Sequence, residues 1–380
     1  MNYRTFQLTG EKISLLGFGA MRLPVIDGDH TRVDEQEAIA MIRKAIDSGV
    51  NYVDTGFPYH GGKSEVAVGK ALKDGYREKV LLADKFPLFS AKSPEDVDSL
   101  FEKQMERLDT DFIDMYLLHN INKAHLKVMK ACNVLPQIEK KRDEGRIKHI
   151  GFSFHDELPL FKEVIDSYPW AFCQIQLNYM DVNFQAGLEG LKYAASKGIP
   201  VVIMEPLKGG KLTDSVPDEI QRLWDGAAVK RSPAEWAFRW VADFPEVLTI
   251  LSGMSTMEQL DENLSILSAA EASSLTIDEK ALIKDVSDAY NRITPYSCTS
   301  CRYCMPCASG VNIPESIQFR NDWEVYNHND KLTDNFNMFF PRTERPSNCV
   351  ECGQCEEKCP QSLSIIKALS ETTVIFEQAS

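Results

Sequence analysis

The stretch EQEAIAMIRKAIDSGVNYVDTG, residues 35–56, contains the unit from which the fold of this chain is predicted. In its first part, apolar residues recur at three- and four-residue steps, which is the pattern of an amphipathic helix. Gly49 then provides a natural helix stop. The segment YVDTG at 52–56 follows closely and has the short, β-branched and aromatic character of a strand. A helix is therefore predicted to lead into a strand.

The same alternation of short strand-like and longer helical segments extends from about residue 15 to 268. For example, SPEDVDSLFEKQMERL begins with Ser93 as the predicted N-cap and Pro94 at the first helical position. Eight alternations over roughly 250 residues indicate a (β/α)8 barrel. An open, doubly wound sheet is the competing architecture, but no GxGxxG follows the first strand, so the barrel is favoured. The predicted strands are 15–20, 52–56, 80–86, 112–119, 147–154, 172–179, 200–207 and 247–254.

The composition is that of a globular protein with a small-molecule role. The chain has 380 residues, enough for a large barrel and a small second domain, and its formal net charge is −14. Nucleic acids and anionic membranes are polyanions, so neither is expected as a partner of so acidic a protein. We recognise no signal peptide and no run of about 18 apolar residues. We therefore expect a cytoplasmic protein that does not span a membrane.

Eight of the ten cysteines lie after residue 297, in two closely spaced sets. The strand–helix alternation stops at about residues 294–295, so we predict a barrel over 1–290 and a mainly helical metal domain over 291–380. Clustered cysteines in a chain without an export signal indicate metal ligands rather than disulfides. The two sets are CTSCRYCMPC at 298–307 and CVECGQCEEKCP at 349–360.

The second set has the spacing of a bacterial [4Fe–4S] motif. In C-x2-C-x2-C-x3-C-P, the fourth cysteine binds the other of two clusters. The first set is followed by Ala308 instead of proline. Structural zinc, the alternative, more often uses two well-separated CxxC pairs. The predicted ligands are Cys298, Cys301, Cys304 and Cys359 for one [4Fe–4S] cluster, and Cys349, Cys352, Cys355 and Cys307 for the other.

The spacer between the two cysteine sets contains a predicted helix. IPESIQFRNDWEVYNH places Pro314 at the helix start, with Ile317, Trp323 and Tyr326 available for packing. This long helical spacer makes the domain resemble the α-helical ferredoxins that are attached to flavin and quinone enzymes.

Four candidate catalytic residues occupy the C-terminal ends of predicted strands, where barrels place their reactive groups. Because adjacent strands are neighbours in space, these side chains are expected to converge. A lysine ammonium lowers the pKa of a nearby tyrosine from its usual value near 10, and a carboxylate balances the charge of that lysine. A histidine can bond a substrate carbonyl oxygen, so the set predicts a general acid. The candidates are Asp54, Tyr59, Lys85 and His119.

In these segments the chain resembles the aldo-keto reductase family. NYVDTGFPYHGGKSEVAVGKAL matches the family segment that carries the aspartate and tyrosine, LLADKF its lysine strand, and MYLLHN its histidine strand. The resemblance covers the whole barrel. It implies hydride transfer from a nicotinamide cofactor to an aldehyde or ketone, with Tyr59 as the acid.

By the same resemblance, several residues are expected to bind the nicotinamide cofactor. Side chains of two neighbouring strands would bond the carboxamide, and the loop 206–212 would run beside the pyrophosphate. The helix after the last strand would meet the adenosine, since backbone N–H groups at a helix start favour phosphate. The expected cofactor-binding residues are Ser153, Gln174, Met204, Leu207, Gly209, Lys211, Gln259 and Asn263.

Two departures from the family pattern concern this cofactor. Met204 stands where many relatives stack an aromatic ring on the nicotinamide. Gly253 and Gln259 stand where NADPH-preferring relatives place a lysine and an arginine. Because a dianionic phosphate without a cationic clamp loses charge-assisted hydrogen bonds, we expect weak preference for NADPH, or preference for NADH.

Three interpretations join the barrel to the clusters. In the first, the protein reduces a small aldehyde or ketone with NADPH or NADH, and the clusters are an electron port to a ferredoxin-like partner or a flavin. In the second, electrons enter through the clusters, and the barrel holds a flavin or a substrate that is reduced in single-electron steps. In the third, the protein is a non-catalytic nicotinamide or redox sensor. The complete set of four residues disfavours the third, because a sensor has no use for Tyr59 as an acid.

Overall fold

The structure is a computed structural model, and it describes residues 1–214, 216–298, 303–326, 330–359 and 361–378. Eight parallel strands form a closed barrel, which confirms the predicted (β/α)8 architecture. A short antiparallel pair, β1 (Tyr3–Thr5) and β2 (Lys12–Ser14), precedes the barrel. The barrel strands are β3 (Leu16–Gly19), β4 (Tyr52–Asp54), β5 (Leu81–Phe86), β6 (Ile113–Ile121), β7 (Ile147–Phe154), β8 (Phe172–Gln176), β9 (Val201–Met204) and β10 (Val247–Gly253).

Helices connect the barrel strands and form most of the regular structure that follows them. Among the described residues, no helix is both long and apolar enough to cross a membrane. The helices are α1 (Glu35–Asp47), α2 (Lys63–Ala71), α3 (Pro94–Leu108), α4 (Lys123–Ala131), α5 (Val134–Asp143), α6 (Leu158–Ser167), α7 (Gly187–Ser196), α8 (Lys211–Asp214), α9 (Asp218–Asp225), α10 (Pro233–Ala242), α11 (Met257–Ala269), α12 (Ile277–Ile293), α13 (Ile313–Val325), α14 (Asp330–Phe339), α15 (Gln354–Glu357) and α16 (Ile365–Phe376).

All eight predicted strands are present, and two of them are clearly shorter than predicted. β8 ends at Gln176 and β9 at Met204, whereas the sequence predicts strands to residues 179 and 207. After β8, the side chain of Asn178 accepts a hydrogen bond from the backbone N–H of Asp181 (3.0 Å), which forms a turn. After β9, Glu205 has a φ of 56°, in the left-handed region, which ends the extended backbone.

Side chains of the barrel strands alternate between the barrel interior and the helix layer. The interior apolar cluster includes Tyr52, Ala83 and Leu117, whereas the residues that follow them belong to the larger cluster that packs against the helices. Side chains two positions apart on a strand face the same side. The next interior positions, near the C-terminal ends of β4, β5 and β6, therefore hold Asp54, Lys85 and His119.

The contacts divide the chain into two compact units. In the second unit, α9 packs against α12, and the guanidinium of Arg231 donates to Glu279 (2.5 Å). These contacts assign both helices to the second unit. The predicted division at residue 290 follows composition instead, and it stays a prediction. The first unit comprises Met1–Gly209 and Ala234–Thr276, and the second comprises Gly210–Pro233 and Ile277–Ser380.

The second unit has its own apolar core, in which α13 packs against α16. The predicted spacer helix is confirmed as α13. Ile317 and Tyr326 are buried as expected, and the ring of Trp323 lies 5.5 Å from that of Phe376. Four phenylalanine rings in mutual contact form the centre of one apolar cluster: Phe319, Phe336, Phe340 and Phe376.

Candidate functional site

The four predicted catalytic residues lie together at the C-terminal end of the barrel. Asp54 ends β4 and pairs in register with Ala83 of β5. Lys85, two residues further along β5, pairs with Leu117 of β6, and His119 follows on that strand. Tyr59 begins the short helical turn after β4.

The ammonium of Lys85 is buried and held by two oxygens. Its Nζ donates to Asp54 Oδ1 (2.5 Å) and to the carbonyl oxygen of Thr55 (2.6 Å). Burial acts to lower the pKa of Lys85, but the Asp54 carboxylate and Tyr59 outweigh it, and the pKa is raised. Burial raises the pKa of Asp54, against the opposing effect of Lys85. The site therefore contains a buried cation beside its counter-ion.

The ring of Tyr59 is in contact with three neighbours. A Cβ on Gly56 would lie 3.0 Å from Tyr59 Cζ, so the glycine makes room for the ring. Lys85 Nζ lies 5.0 Å from the ring centroid, and the imidazole of His119 meets the ring edge-on at 5.8 Å between centroids. Burial raises the pKa of Tyr59, although Lys85 opposes this. The expectation that Lys85 lowers the pKa of Tyr59 below its usual value is wrong, because the effect of burial is larger than that of the Lys85 ammonium. The Tyr59 hydroxyl is therefore protonated at neutral pH.

The imidazole of His119 is neutral. Burial lowers its pKa well below the usual value, and the positive charge of Lys85 lowers it further. Its Nδ1 is buried, and it has no hydrogen-bond partner among the residues that the structure describes. The half-exposed ring of Phe89 packs against both His119 and His125, at 5.8 and 6.3 Å between centroids. A neutral imidazole in this position has an N–H with which it can donate to a carbonyl oxygen.

Three predicted cofactor residues, Ser153, Gln174 and Met204, end or nearly end neighbouring strands. Ser153 pairs in register with Gln174, and its Oγ accepts a hydrogen bond from the N–H of Asn120 (2.8 Å). Gln174 Nε2 lies 3.5 Å from Met204 Sδ, whereas Gln174 Oε1 is buried and no group in the described part of the chain bonds to it. An unsatisfied buried acceptor is costly, so this oxygen fits a ligand that donates a hydrogen bond, as a carboxamide does.

Three further predicted residues follow β9, and the structure separates them. Leu207 packs against the barrel core, and Gly209 has a φ of 70°. Lys211 belongs to the second unit, where its Nζ is bonded to Asp322 of α13. The ammonium of Lys211, which the sequence predicts to be beside the cofactor, is therefore already paired.

The last two predicted cofactor residues lie on α11, whose N-cap is Thr256. Gln259 Oε1 accepts a hydrogen bond from the N–H of Ser255 (2.8 Å), so this side chain folds back over the helix start. Asn263 is buried and donates from Nδ2 to Ser252 Oγ (3.0 Å) at the end of β10. Both side chains help to shape the loop between β10 and α11.

One charged residue at this end of the barrel, Arg22, is missed by the sequence analysis. A Cβ on Gly209 would lie 2.9 Å from Arg22 Nη2, and a Cβ on Gly253 would lie 3.1 Å from Arg22 Cβ. The arginine thus reaches from the loop after β3 to the loops after β9 and β10. These two glycines belong to the segments expected beside the cofactor, so Arg22 supplies a cation where the sequence predicts none. The only sequence signal is its place directly after the first barrel strand.

Five cysteines line one pocket in the second unit. Thiolates are the ligands that hold iron–sulfur clusters, so this donor set fits such a group. Four of the five form one predicted ligand set, and Cys304 comes from the other. The lining cysteines are Cys304, Cys307, Cys349, Cys352 and Cys355.

The other predicted ligand set is described only in part. Cys298 and Cys359 pack, like Cys304, against the apolar cluster around Ile313 and Ile317. Cys301 and Pro360 lie outside the described residues. Within the described ranges, no three His, Cys, Asp or Glu side chains are placed to hold a single metal ion.

Comparisons with known proteins identify the class of protein to which this closed barrel belongs. The sequence model of the aldo/keto reductase family matches residues 15–288, and that of a 4Fe–4S dicluster domain matches residues 297–364. The chain belongs to the aldo/keto reductase family. It is an oxidoreductase of this type with a C-terminal 4Fe–4S domain.

Relatives of the barrel are reductases and dehydrogenases. L-galactose dehydrogenase from Arabidopsis thaliana is 31% identical over an alignment of 300 residues, and the match covers 72% of this chain and 90% of that protein. The NADH-specific methylglyoxal reductase of Escherichia coli (strain K12) is 25% identical, with 74% and 96% coverage. Among solved structures, the holo form of aldo-keto reductase AKR11C1 from Bacillus halodurans superposes with a TM-score of 0.62 at 25% identity, covering 75% of this chain and 96% of that one.

Proposed function

We propose that this protein reduces a small aldehyde or ketone with NADPH or NADH and that Tyr59 is the general acid. The observation that carries the proposal is the contact of Tyr59 with Lys85, which is itself paired with Asp54. When bound, the nicotinamide supplies the hydride that adds to the carbonyl carbon. Tyr59 gives its hydroxyl proton to the carbonyl oxygen, and Lys85 stabilises the phenolate that remains. His119 donates a hydrogen bond that orients the same oxygen.

Three features of the barrel support a nicotinamide cofactor at this site. Gln174 Oε1 lacks a hydrogen-bond partner within the described ranges and suits the carboxamide N–H. Ser153 lies beside Gln174 in register. Arg22 supplies a charge beside the two glycine-containing loops, where it suits the pyrophosphate that NADH and NADPH share. Two curated relatives, one named for L-galactose and the other for methylglyoxal, support an aldehyde or sugar-like substrate.

We propose that the protein prefers NADPH only weakly, or that it prefers NADH. Gly253 brings no cation, and the Gln259 side chain is bonded to the backbone of Ser255. One relative is named as NADH-specific. Comparing the KM values for NADH and NADPH tests this preference, and a strong selectivity for NADPH would contradict it.

We further propose that the C-terminal domain holds two [4Fe–4S] clusters that act as an electron port. The pocket lined by five cysteines and the family match support this assignment. When bound, such clusters transfer single electrons, so a flavin or a ferredoxin-like partner would connect them to hydride chemistry. The alternative is an electron-transfer reductase in which electrons enter through the clusters. It is favoured by the same 4Fe–4S match.

The acid role of Tyr59 is tested by comparing Tyr59→Phe with Tyr76→Phe, whose hydroxyl bonds Asp47 at the surface. Loss of the acid lowers kcat/KM for carbonyl reduction by about 10²- to 10⁴-fold, whereas the control keeps its activity. Unchanged activity of Tyr59→Phe on every carbonyl tested would overturn the proposal and revive the sensor interpretation.

The electron port is tested by anaerobic stopped-flow mixing of the oxidised protein with NADH and then NADPH, without a carbonyl compound. Rapid bleaching of the cluster absorbance is the expected result. Cofactor consumption that depends on a carbonyl compound and leaves the clusters oxidised would contradict the port. The barrel would then work alone.

A further inference from the structure

Behind the catalytic residues, two carboxyl groups are buried in contact with each other. Asp84 precedes Lys85 on β5 and therefore points to the opposite face, into the helix layer. Glu65 comes from α2, the helix that follows Tyr59. Both residues are fully buried, and one amide nitrogen, Gln104 Nε2 of α3, contacts both side chains, at 2.6 Å from Asp84 Oδ2 and 3.4 Å from Glu65 Oε1.

Asp84 is bonded directly to the strand that carries the catalytic lysine. Its Oδ1 accepts a hydrogen bond from the backbone N–H of Lys85 (2.8 Å). Its Oδ2 accepts one from Gln104 Nε2 of α3 (2.6 Å), and the same Nε2 also donates to the carbonyl oxygen of Lys85 (3.0 Å). Gln104 is fixed in turn by the hydroxyl of Tyr116, which donates to its Oε1 (2.5 Å).

Glu65 is connected to the loop that carries Tyr59. Its Oε2 accepts from Arg107 Nη1 of α3 (2.6 Å), and the same Nη1 lies 3.3 Å from the carbonyl oxygen of Phe57. The guanidinium also stacks on the ring of Phe57, at 4.5 Å from the ring centroid. A Cβ on Gly62 would collide with this guanidinium, so the turn after Tyr59 closes over it.

The charges around the two carboxyl groups do not balance if both are ionised. Arg107 and Gln104 face the pair from α3, and the neutral Tyr116 faces it from β6. Lys85 lies behind Asp84 on the opposite face of β5, where its ammonium is committed to Asp54. One guanidinium, which pairs with Glu65, thus faces two carboxyl groups that are both fully buried, and two adjacent buried carboxyl groups do not both ionise. Burial and the charge of Glu65 raise the pKa of Asp84 well above its usual range.

We infer that Asp84 and Glu65 hold one proton between them, on Asp84, and that the pair positions Lys85 and the Tyr59 loop for catalysis. Neutral Asp84 donates its O–H to ionised Glu65, which is paired with Arg107. The charge of Lys85 then acts on Asp54 and Tyr59 and is not drawn to a second anion behind the strand. The catalytic part of this inference rests on the proposed role of Tyr59. The shared proton does not.

Infrared spectroscopy of the intact protein tests the proton. At neutral pH, the wild type is expected to show the C=O stretching band of a neutral carboxylic acid, which shifts in D₂O and is lost in Asp84→Asn. Asp114→Asn is the matched control. Asp114 is equally buried but meets two cations, Arg77 and Lys148, at 2.7 Å each, so Asp114→Asn is expected to leave the acid band unchanged. A spectrum without the acid band, or one in which Asp84→Asn keeps it, would overturn the inference.

Kinetics of carbonyl reduction tests the positioning role. An amide at position 84 is neutral, can donate to Glu65 and can accept from the N–H of Lys85, but its nitrogen cannot accept from Gln104 Nε2 as Asp84 Oδ2 does. Asp84→Asn is therefore expected to keep kcat to within about 10-fold. Asp84→Ala loses the bonds to both Lys85 and Gln104 and is expected to lose about 10- to 100-fold in kcat, more than the Asn variant, with KM nearly unchanged. An Asn variant as poor as the Ala variant would contradict the inference, because a neutral group that donates to Glu65 would then not suffice. A fully active Ala variant would contradict the positioning role.

The two parts of the test separate failure of this inference from failure of the proposed function. If Tyr59→Phe were as active as the wild type, the acid role would fail, and the infrared result would still decide whether Asp84 is protonated. If Asp84→Ala fails to fold, the comparison of wild type with Asp84→Asn keeps both measurements decisive.

Discussion

At the scale of single residues, Lys85 determines the charge state of its surroundings. Its ammonium is 1% exposed and meets Asp54, the carbonyl oxygen of Thr55 and the ring of Tyr59. A buried charge is tolerated only when it is paired and hydrogen-bonded. The same contacts that make Lys85 useful to Tyr59 therefore also make it necessary for the stability of the folded barrel.

Lys85→Met tests this double role. The variant leaves Asp54 buried without its cation, and we expect the free energy of unfolding to fall by about 3–5 kcal/mol at pH 8. Without Lys85, burial keeps the folded pKa of Asp54 above its unfolded value. The folded state then binds the extra proton, so the loss is smaller at pH 5 and grows as the pH rises. Urea unfolding at both pH values measures it.

The control for that experiment is the double variant Asp54→Asn with Lys85→Met. It removes the stranded carboxyl group, and we expect it to be more stable at pH 8 than Lys85→Met alone. Equal stability of the single and double variants would show that the pair is not the source of the effect.

A second residue-scale prediction concerns His60, next to Tyr59. Its Nε2 accepts a hydrogen bond from the N–H of Leu23 (3.2 Å), so its Nδ1 carries the proton and donates to the carbonyl oxygen of His30 (2.7 Å). Burial lowers the pKa of His60, and a proton on Nε2 would also remove the acceptor of the Leu23 N–H. The unfolded chain therefore binds more protons, and stability is expected to fall as the pH drops below about 6.5.

His60→Asn tests this pH dependence. Asparagine tolerates the left-handed backbone at this position, where φ is 53°. The loss of unfolding free energy between pH 7 and pH 5 should be smaller in the variant than in the wild type. Identical slopes for the two proteins would rule out His60 as a contributor.

At the scale of elements, α2 is fixed to α3 by close backbone contact. A Cβ on Gly69 of α2 would lie 2.5 Å from the carbonyl oxygen of Leu108 at the end of α3. Backbone cannot yield as a flexible side chain can, so only glycine allows this approach. Because α2 carries Glu65 and directly follows the turn that begins at Tyr59, this contact also fixes where the Tyr59 loop ends.

Gly69→Ala is expected to destabilise the protein by about 1–3 kcal/mol, because the overlap forces the two helices apart. The higher helix propensity of alanine offsets about 1 kcal/mol of that loss. Gly226→Ala is the matched control, since its nearest atom would lie at an ordinary 3.4 Å. Thermal unfolding of both variants decides. A Gly69→Ala protein as stable as the wild type would contradict the close contact.

The elements also show how far sequence reasoning extends. The eight strands follow from local patterns, and the α3 start at Ser93 and Pro94, with its capping box, is confirmed. The period of two on each strand places Asp54, Lys85 and His119 inside the barrel. By contrast, Arg22 reaches the loops after β9 and β10, and Lys211 pairs with Asp322, only through tertiary proximity. No local pattern carries such information.

At the scale of the whole molecule, the second unit is assembled from two separate parts of the chain. Residues 210–233 leave the barrel sequence between β9 and α10 and join residues 277–380. α9 packs on α12, and Lys211 bonds to Asp322 of α13. The chain therefore enters the second unit twice, first after β9 and again at the C-terminal end of the barrel sequence.

A cluster-ligand variant tests the metal assignment. Cys355 lines the cysteine pocket, and we expect Cys355→Ala to lose about half of the bound iron if it holds one of two [4Fe–4S] clusters. Cys132→Ala is the control, because Cys132 is buried in the barrel core and far from both cysteine sets in sequence. Iron and sulfide analysis, with zinc measured in parallel, gives the result. Full iron in Cys355→Ala, or zinc in place of iron, would contradict the assignment.

The discontinuous second unit has a consequence for synthesis on the ribosome. Residues 210–233 are made before α10 and β10, yet their partners in α12 and α13 emerge only after the last barrel strand. Domains otherwise tend to fold in N-terminal to C-terminal order as they are translated. In this protein, α9 and Lys211 must wait for chain made much later, so the segment after β9 is the last part of the barrel sequence to find its partners during translation.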